Sequence, residues 1–106
     1  MSNAFEKIKK EISSGKIVIF IKGTPDFPQC GFSARTVEIF KELGYPFHAV
    51  DVLANPDIRA TLPQVSNWPT FPQVFVNGTL IGGCDIVNEM QERGELKPLL
   101  EETFKS

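Results

Sequence analysis

The sequence predicts an α/β domain built on one mixed, four-stranded sheet with helices on both faces. Three observations carry this. Ile17-Val18-Ile19-Phe20-Ile21 is an unbroken apolar run, as expected of a central strand covered on both sides. From that run to Val52 the pattern reads strand, helix, strand, at the spacing of a parallel crossover. Farther on, Asn77-Gly78 joins two short apolar segments, the strongest short hairpin signal there is, so those two strands must be antiparallel.

Each element has its own warrant. Phe5, Ile8 and Ile12, spaced by three and four, make the apolar stripe of a first helix, with Glu6, Lys9, Lys10 and Glu11 toward water; Ser14-Gly15 ends it. After the strand Ile17 to Ile21 comes a loop, Lys22 to Gln29, punctuated by Pro25 and Pro28. A helix follows from about Gly31 to Leu43, with Phe32, Val37, Phe40 and Leu43 on its broad apolar face and Gly44 as terminator. Phe47 to Val52 reads as the next strand, with Phe47, Ala49 and Asp51 on one face and His48, Val50 and Val52 on the other.

Asn55-Pro56-Asp57 is a helix start, with Asn as N-cap, Pro at the first helical position and Asp in the first turn. Ile58, Leu62 and Val65 form the stripe of that helix, and Pro63 within it is expected to kink or shorten it. Trp68 to Pro72 is loop. Gln73 to Val76 and Thr79 to Gly82 are the hairpin strands. Gly82-Gly83 opens a turn into a helix near Asp85 that buries Ile86, Val87 and Met90 and stops at Gly94. Glu95 to Phe104 is a short last helix carrying Leu96, Leu99, Leu100 and Phe104.

Composition bounds the function. A length of 106 residues fits a single domain, 1–106. With 42% hydrophobic and 23% charged residues, the chain has the make-up of a soluble globule that needs no disulfide staple. The net charge is −2 and the basic residues are dispersed, so no nucleic-acid partner is expected. No apolar run approaches the roughly 20 residues of a membrane span, and the polar N-terminus has no signal-peptide pattern. The expectation is therefore no membrane partner and a reducing, cytoplasmic location. Cys30 and Cys84 lie far apart and make no disulfide framework, and the single histidine, His48, excludes a histidine-based metal cluster within one chain.

The chemistry centres on Cys30. It stands in a Pro- and Gly-rich loop between a buried strand and the start of a helix. A helix N-terminus, with its partial positive charge and unpaired N–H groups, favours thiolate over thiol and lowers a pKa that is about 8.5 in a free cysteine. Lys22, at the end of the strand, adds a second positive charge. A cysteine taken alone is more often a small buried hydrophobe. The loop position argues for an accessible, functional thiol.

In order along the chain, Lys22-Gly23-Thr24-Pro25, Cys30-Gly31-Phe32-Ser33, Trp68-Pro69-Thr70-Phe71-Pro72-Gln73 and Gly82-Gly83-Cys84-Asp85 resemble the motif blocks of the monothiol glutaredoxins. The likeness covers nearly the whole chain. It implies a thioredoxin-like (glutaredoxin) fold and glutathione as bound partner. Carried over residue by residue, Cys30 faces the glutathione sulfur, and Lys22 and Arg59 pair with the glycine-end carboxylate. The backbone of Phe71, after Thr70 and before a cis peptide at Pro72, bonds the cysteinyl part. Cys84 and Asp85 hold the γ-glutamyl end. Taken singly, Lys22 and Arg59 would be solvated surface charges, Asp85 a helix cap and Trp68 partly buried packing.

Ser33 occupies the position three residues after Cys30, where a dithiol enzyme keeps its resolving thiol, and a hydroxyl cannot resolve a disulfide. Two uses of the lone thiolate follow. A 2Fe–2S cluster takes four thiolates, which two Cys30 and two glutathiones supply, so the count predicts a homodimer when cluster-bound, with a monomer expected when apo. The resemblance adds cluster transfer to iron–sulfur acceptor proteins and pairing with a BolA-like protein. The alternative is a glutathione-dependent monothiol oxidoreductase that removes glutathione from proteins. Cys84 is a slow candidate resolving thiol. A third reading is an interaction module using the Trp68 surface.

Overall fold

Nine elements follow one another in the structure, a computed structural model that describes residues 3–105. They are α1 (Asn3–Ile12), β1 (Ile17–Ile21), α2 (Gly31–Leu43), β2 (His48–Asp51), α3 (Pro56–Ser66), β3 (Gln73–Val76), β4 (Thr79–Gly82), α4 (Cys84–Glu92) and α5 (Leu96–Thr103). The strands form one sheet in the order β2-β1-β3-β4. β1 pairs in parallel with β2, Val18 opposite His48 and Ile21 opposite Asp51. It pairs antiparallel with β3, Ile17 opposite Val76 and Phe20 opposite Gln73, and β3 runs antiparallel to β4. This is the mixed, four-stranded sheet that the sequence predicts.

β1 is central because all five of its side chains are apolar, and alternate residues feed opposite cores. On one face Ile17, Ile19 and Ile21 meet Val74 and Val76 under Val37 and Phe40 of α2, Val87 of α4 and Leu96 and Leu100 of α5. On the other face Val18 and Phe20 meet Val50 and Phe75 under Ile8 of α1 and Ile58 and Leu62 of α3. The Phe20 and Phe75 rings meet edge to face, 5.6 Å between centroids. Each fully buried side chain of this size contributes about 1.5–3 kcal/mol relative to exposure, so β1 anchors both layers. In the hairpin, Asn77 (φ 53°) and Gly78 (φ 83°) both take the left-handed conformation that a two-residue type I′ turn demands.

Four side chains expected inside are exposed. α1 turns Ala4 and Ile8 inward, and the neighbouring Phe5 lies under the Lys9 ammonium, 5.4 Å from its ring centre. α3 presents Ile58 and Leu62, four apart, to the sheet, and leaves Val65 in its last turn outside. Ile86 packs against the bare backbone of Gly82, where a Cβ would stand 2.7 Å from the Ile86 Cβ, instead of entering the core. Phe32, 61% exposed, lies in the first turn of α2 at the mouth of the site described below.

Pro63 does not shorten α3, which runs on to Ser66. Its ring removes only the hydrogen bond to the Arg59 carbonyl, and Arg59 is exposed, where water can replace that bond. β2 is one residue shorter at each end than expected. Its alternation holds, with Phe47 and Ala49 on the first core and Val50 and Val52 in the second. Asn55 is the N-cap residue of α3 but makes no side-chain cap; its Nδ2 donates to the Asp51 carbonyl at 2.9 Å.

Candidate thiol site and ligand cleft

The chain turns as soon as β1 ends. The Gln29 N–H donates to the Lys22 carbonyl at 2.8 Å, and Gly23 bridges Pro28, so the loop closes on itself. Gly23 has φ +98°, and a Cβ there would lie 2.6 Å from the Phe27 carbonyl oxygen and 2.8 Å from the Gln29 nitrogen. Only glycine fits. From the other side, Asp51 Oδ1 accepts the N–H groups of Gly23 (2.9 Å), Leu53 (2.8 Å) and Ala54 (3.3 Å). The closed loop delivers Cys30 to the N-cap of α2, in extended conformation, its carbonyl accepting the Ala34 N–H at 2.9 Å.

There the thiol is free and partly exposed. The backbone N–H of Ser33 holds the Cys30 pKa below its ordinary value against the opposing effect of burial. The Phe32 N–H, the Ser33 hydroxyl and the Lys22 ammonium lower it further. All are positive ends of dipoles or a full positive charge facing the sulfur, so each favours thiolate. Ser33 itself is fully buried, and its Oγ accepts the Lys22 N–H at 3.1 Å. Ser33→Ala is expected to raise the Cys30 pKa only part of the way, because the backbone donors remain. It should also cost about 1–3 kcal/mol by orphaning the Lys22 N–H. Thiolate absorbance against pH and urea unfolding measure the two effects separately.

A cleft of about 490 Å³ opens beside the sulfur, within the range that small ligands occupy. Lys22, Cys30 and Phe32 line one side, Trp68, Thr70, Phe71 and Pro72 the second, and Gly83, Cys84 and Asp85 the third. The Phe71–Pro72 peptide is cis. Gln73, fully buried, donates through Nε2 to the carbonyls of Trp68 (2.9 Å) and Thr70 (3.2 Å). α4 begins at the third side. Gly83 is its N-cap and no side chain caps it, which leaves first-turn N–H groups for an anionic ligand. A cation at Lys22, a helix start at Cys84 and a carboxylate at Asp85 thus surround one nucleophilic sulfur. Among the described residues, no three His, Cys, Asp or Glu side chains gather to hold a metal ion.

The comparisons with known proteins bear on this arrangement. The family described as Glutaredoxin matches residues 17–81, from the start of β1 into β4. Glutaredoxin 4 of Escherichia coli (strain K12) is 53% identical over 103 residues, covering 97% of this chain and 90% of its own. The chain belongs to the glutaredoxin family. Among solved structures, reduced poplar apo GrxS14 superposes with a TM-score of 0.82 at 45% identity, covering 96% of this chain and 94% of its own. A buckwheat glutaredoxin–glutathione complex superposes with a TM-score of 0.82 at 32% identity, covering 94% and 89%.

This glutaredoxin is of the monothiol kind, with Ser33 three residues after Cys30, and its sheet and helices form the thioredoxin-like fold. Of the residues singled out in the sequence, the structure brings Cys30, Lys22, Thr70, Phe71, Cys84 and Asp85 around one cleft. Arg59 is exposed on α3 and is not among the residues that line this cleft. Two features escaped the sequence reading. One is Asp51, whose place at a strand end before a turn was its only signal. The other is a second cleft of about 500 Å³ on the α2–α4 side of Cys30, where Arg35 Nε donates to Asn88 Oδ1 at 3.2 Å. Arg35 and Asn88 are 53 positions apart, and no local pattern joins them.

Proposed function

We propose that this monothiol glutaredoxin binds glutathione in the cleft beside Cys30 and, as a homodimer, carries a 2Fe–2S cluster that it transfers to iron–sulfur acceptor proteins. The observation that carries this reading is one accessible, acidified thiol, with a buried serine hydroxyl where a resolving thiol would stand. The charge pattern suits a tripeptide with two carboxylates and one ammonium group. Lys22 takes the glycine-end carboxylate, with Arg59 able to contribute only from outside the lining. The backbone at Thr70 and Phe71 pairs with the cysteinyl part, and the start of α4 with Asp85 takes the γ-glutamyl end. The buckwheat relative solved with glutathione supports that ligand class.

The cluster is cargo, not a resident group. One Cys30 per chain cannot satisfy four iron–sulfur ligand positions, whereas two chains and two glutathione thiols do. The apo chain is then a monomer, and a BolA-like protein can replace one partner. We place this activity in a single domain, 1–106, in the cytoplasm, where two free thiols persist. No helix among the described residues is long and apolar enough to cross a membrane.

Anaerobic reconstitution with iron, sulfide and glutathione tests the reading. The expected result is a visible chromophore at about one cluster per two chains, and its loss when glutathione is withheld. Cluster binding that is indifferent to glutathione contradicts the ligand count. The lowered Cys30 pKa favours a second reading, a monothiol oxidoreductase in which free glutathione resolves the mixed disulfide. A colourless monomer that turns over glutathionylated protein supports that alternative.

A further inference from the structure

We propose that Gln73 is a positioning residue for the glutathione cleft, one that sets the loop before β3 through its buried amide. The inference rests on the reading of the cleft as a glutathione site. Gln73 touches no cleft space itself; it opens β3 opposite Phe20 and is fully buried. Both hydrogens of its Nε2 are used, on the carbonyls of Trp68 and Thr70. Its Oε1 is buried without a partner among the described residues. A methionine or leucine would fill this volume without stranding an acceptor, so packing alone does not account for an amide here. What the amide does, and an apolar chain cannot, is hold two loop carbonyls.

Those carbonyls belong to the segment whose next backbone unit, Phe71, lines the cleft. The same loop is braced against the opposite wall. A Cβ on Gly83 would lie 3.2 Å from Trp68 Nε1 and 3.0 Å from the Pro72 carbonyl oxygen, so the indole and the loop backbone rest directly on the residue before α4. Gln73 therefore fixes Trp68, and Trp68 with Gly83 fixes the spacing between the Thr70–Phe71 backbone and the N-terminus of α4. Those are the two walls that must engage the cysteinyl and γ-glutamyl parts of one tripeptide. Cys30 lies on the remaining side, with Lys22 and Phe32, held by bonds that Gln73 does not touch. Gln73 acts on binding and leaves the acidity of the thiol alone.

The test uses the full chain and glutathione as the probe. Trp68 is the only tryptophan, so its emission reports the loop directly. Gln73→Met is expected to weaken glutathione binding about tenfold, and, with glutathione disulfide as donor, to raise KM while the maximal rate at which the Cys30 thiolate takes one glutathionyl group and releases the other as glutathione thiolate changes less than about twofold. Gln73→Glu supplies a second arm with a sign. When protonated, its carboxyl can still donate to one loop carbonyl; when ionised, it faces both carbonyls with negative charge. Its affinity relative to the wild type should therefore fall as pH rises. Binding by Gln73→Met within about twofold of the wild type overturns the proposal, as does a lowered maximal rate at unchanged KM. A wild-type chain that shows neither glutathione binding nor a Trp68 response removes the glutathione reading and this proposal with it. Normal wild-type binding with an indifferent Gln73→Met removes this proposal alone.

Discussion

Cys30→Ser is expected to abolish both the reconstituted chromophore and glutathione transfer onto the chain, down to background. Serine keeps the volume and the N-cap geometry, so the fold and the cleft should survive. What disappears is the sulfur that the start of α2 ionises. Cys84 lines the same clefts but stands at the start of α4, not of α2. Mass spectrometry after exposure to a glutathionylated peptide, and visible absorbance after reconstitution, read the two losses. Survival of either at near wild-type level would move the chemistry to Cys84.

The same substitution tests the acidity of the thiol. Because the folded pKa of Cys30 is lowered, the native chain holds fewer protons than the unfolded one between that value and the ordinary thiol value of about 8.5. The stability that this contributes is complete above the unfolded value and is lost as pH falls through the folded one. The stability of the wild type relative to Cys30→Ser should therefore rise with pH across that window. Alkylation of Cys30 should persist to lower pH than for a free thiol. Coincident stability curves at every pH would show that the thiolate is not held by the fold.

Gly23→Val should have the largest effect on folding. Its side chain would meet backbone on two sides, 2.6 Å from the Phe27 oxygen and 2.8 Å from the Gln29 nitrogen, at a φ of +98° that a β-branched residue does not adopt. Neither neighbour is a flexible side-chain tip, so the loop itself must open. Backbone strain and overpacking together put the cost at roughly 3–5 kcal/mol. Opening the loop also breaks the Gln29-to-Lys22 bond that places Cys30, so the thiol pKa should rise in whatever fraction folds. Gly31→Ala is the control, since nothing lies within 4 Å of a Cβ there. Urea unfolding of the two variants should differ by most of that cost, and equal midpoints would mean that the loop is not clamped as described.

Much of the site was legible because it is written in short-range chemistry. A strand, a Pro- and Gly-rich turn and a helix start within about a dozen residues are enough to place an accessible thiol at a dipole end. Gly44 and Asn77-Gly78 announce their turns by the left-handed conformations they adopt. What failed were assignments of facing at element ends. Phe32 and Val65 carry the right apolar character, but they fall on first or last helical turns, and no periodicity reveals where the sheet stops.

The partners of buried polar groups were equally invisible beforehand. Asp51 reads as one more position on an alternating strand, yet it bonds the Gly23 N–H 28 residues away. Gln73 reads as a motif letter, yet it holds two carbonyls of the preceding loop. Arg59, a charge that family resemblance assigns to the ligand, is exposed on α3 and is not among the residues that line the cleft.

The sequence by itself determined the mixed α/β sheet, the position of its central strand, the hairpin and the Cys30 thiol at a helix start. Each of these follows from apolar periodicity or backbone preference within a few neighbouring residues. The tertiary structure alone decided that Ser33, Asp51 and Gln73 hold the backbone around the Cys30 cleft in place. Those relations join residues up to 28 positions apart in the chain, and only the packing of the sheet against two helical layers brings them within bonding distance.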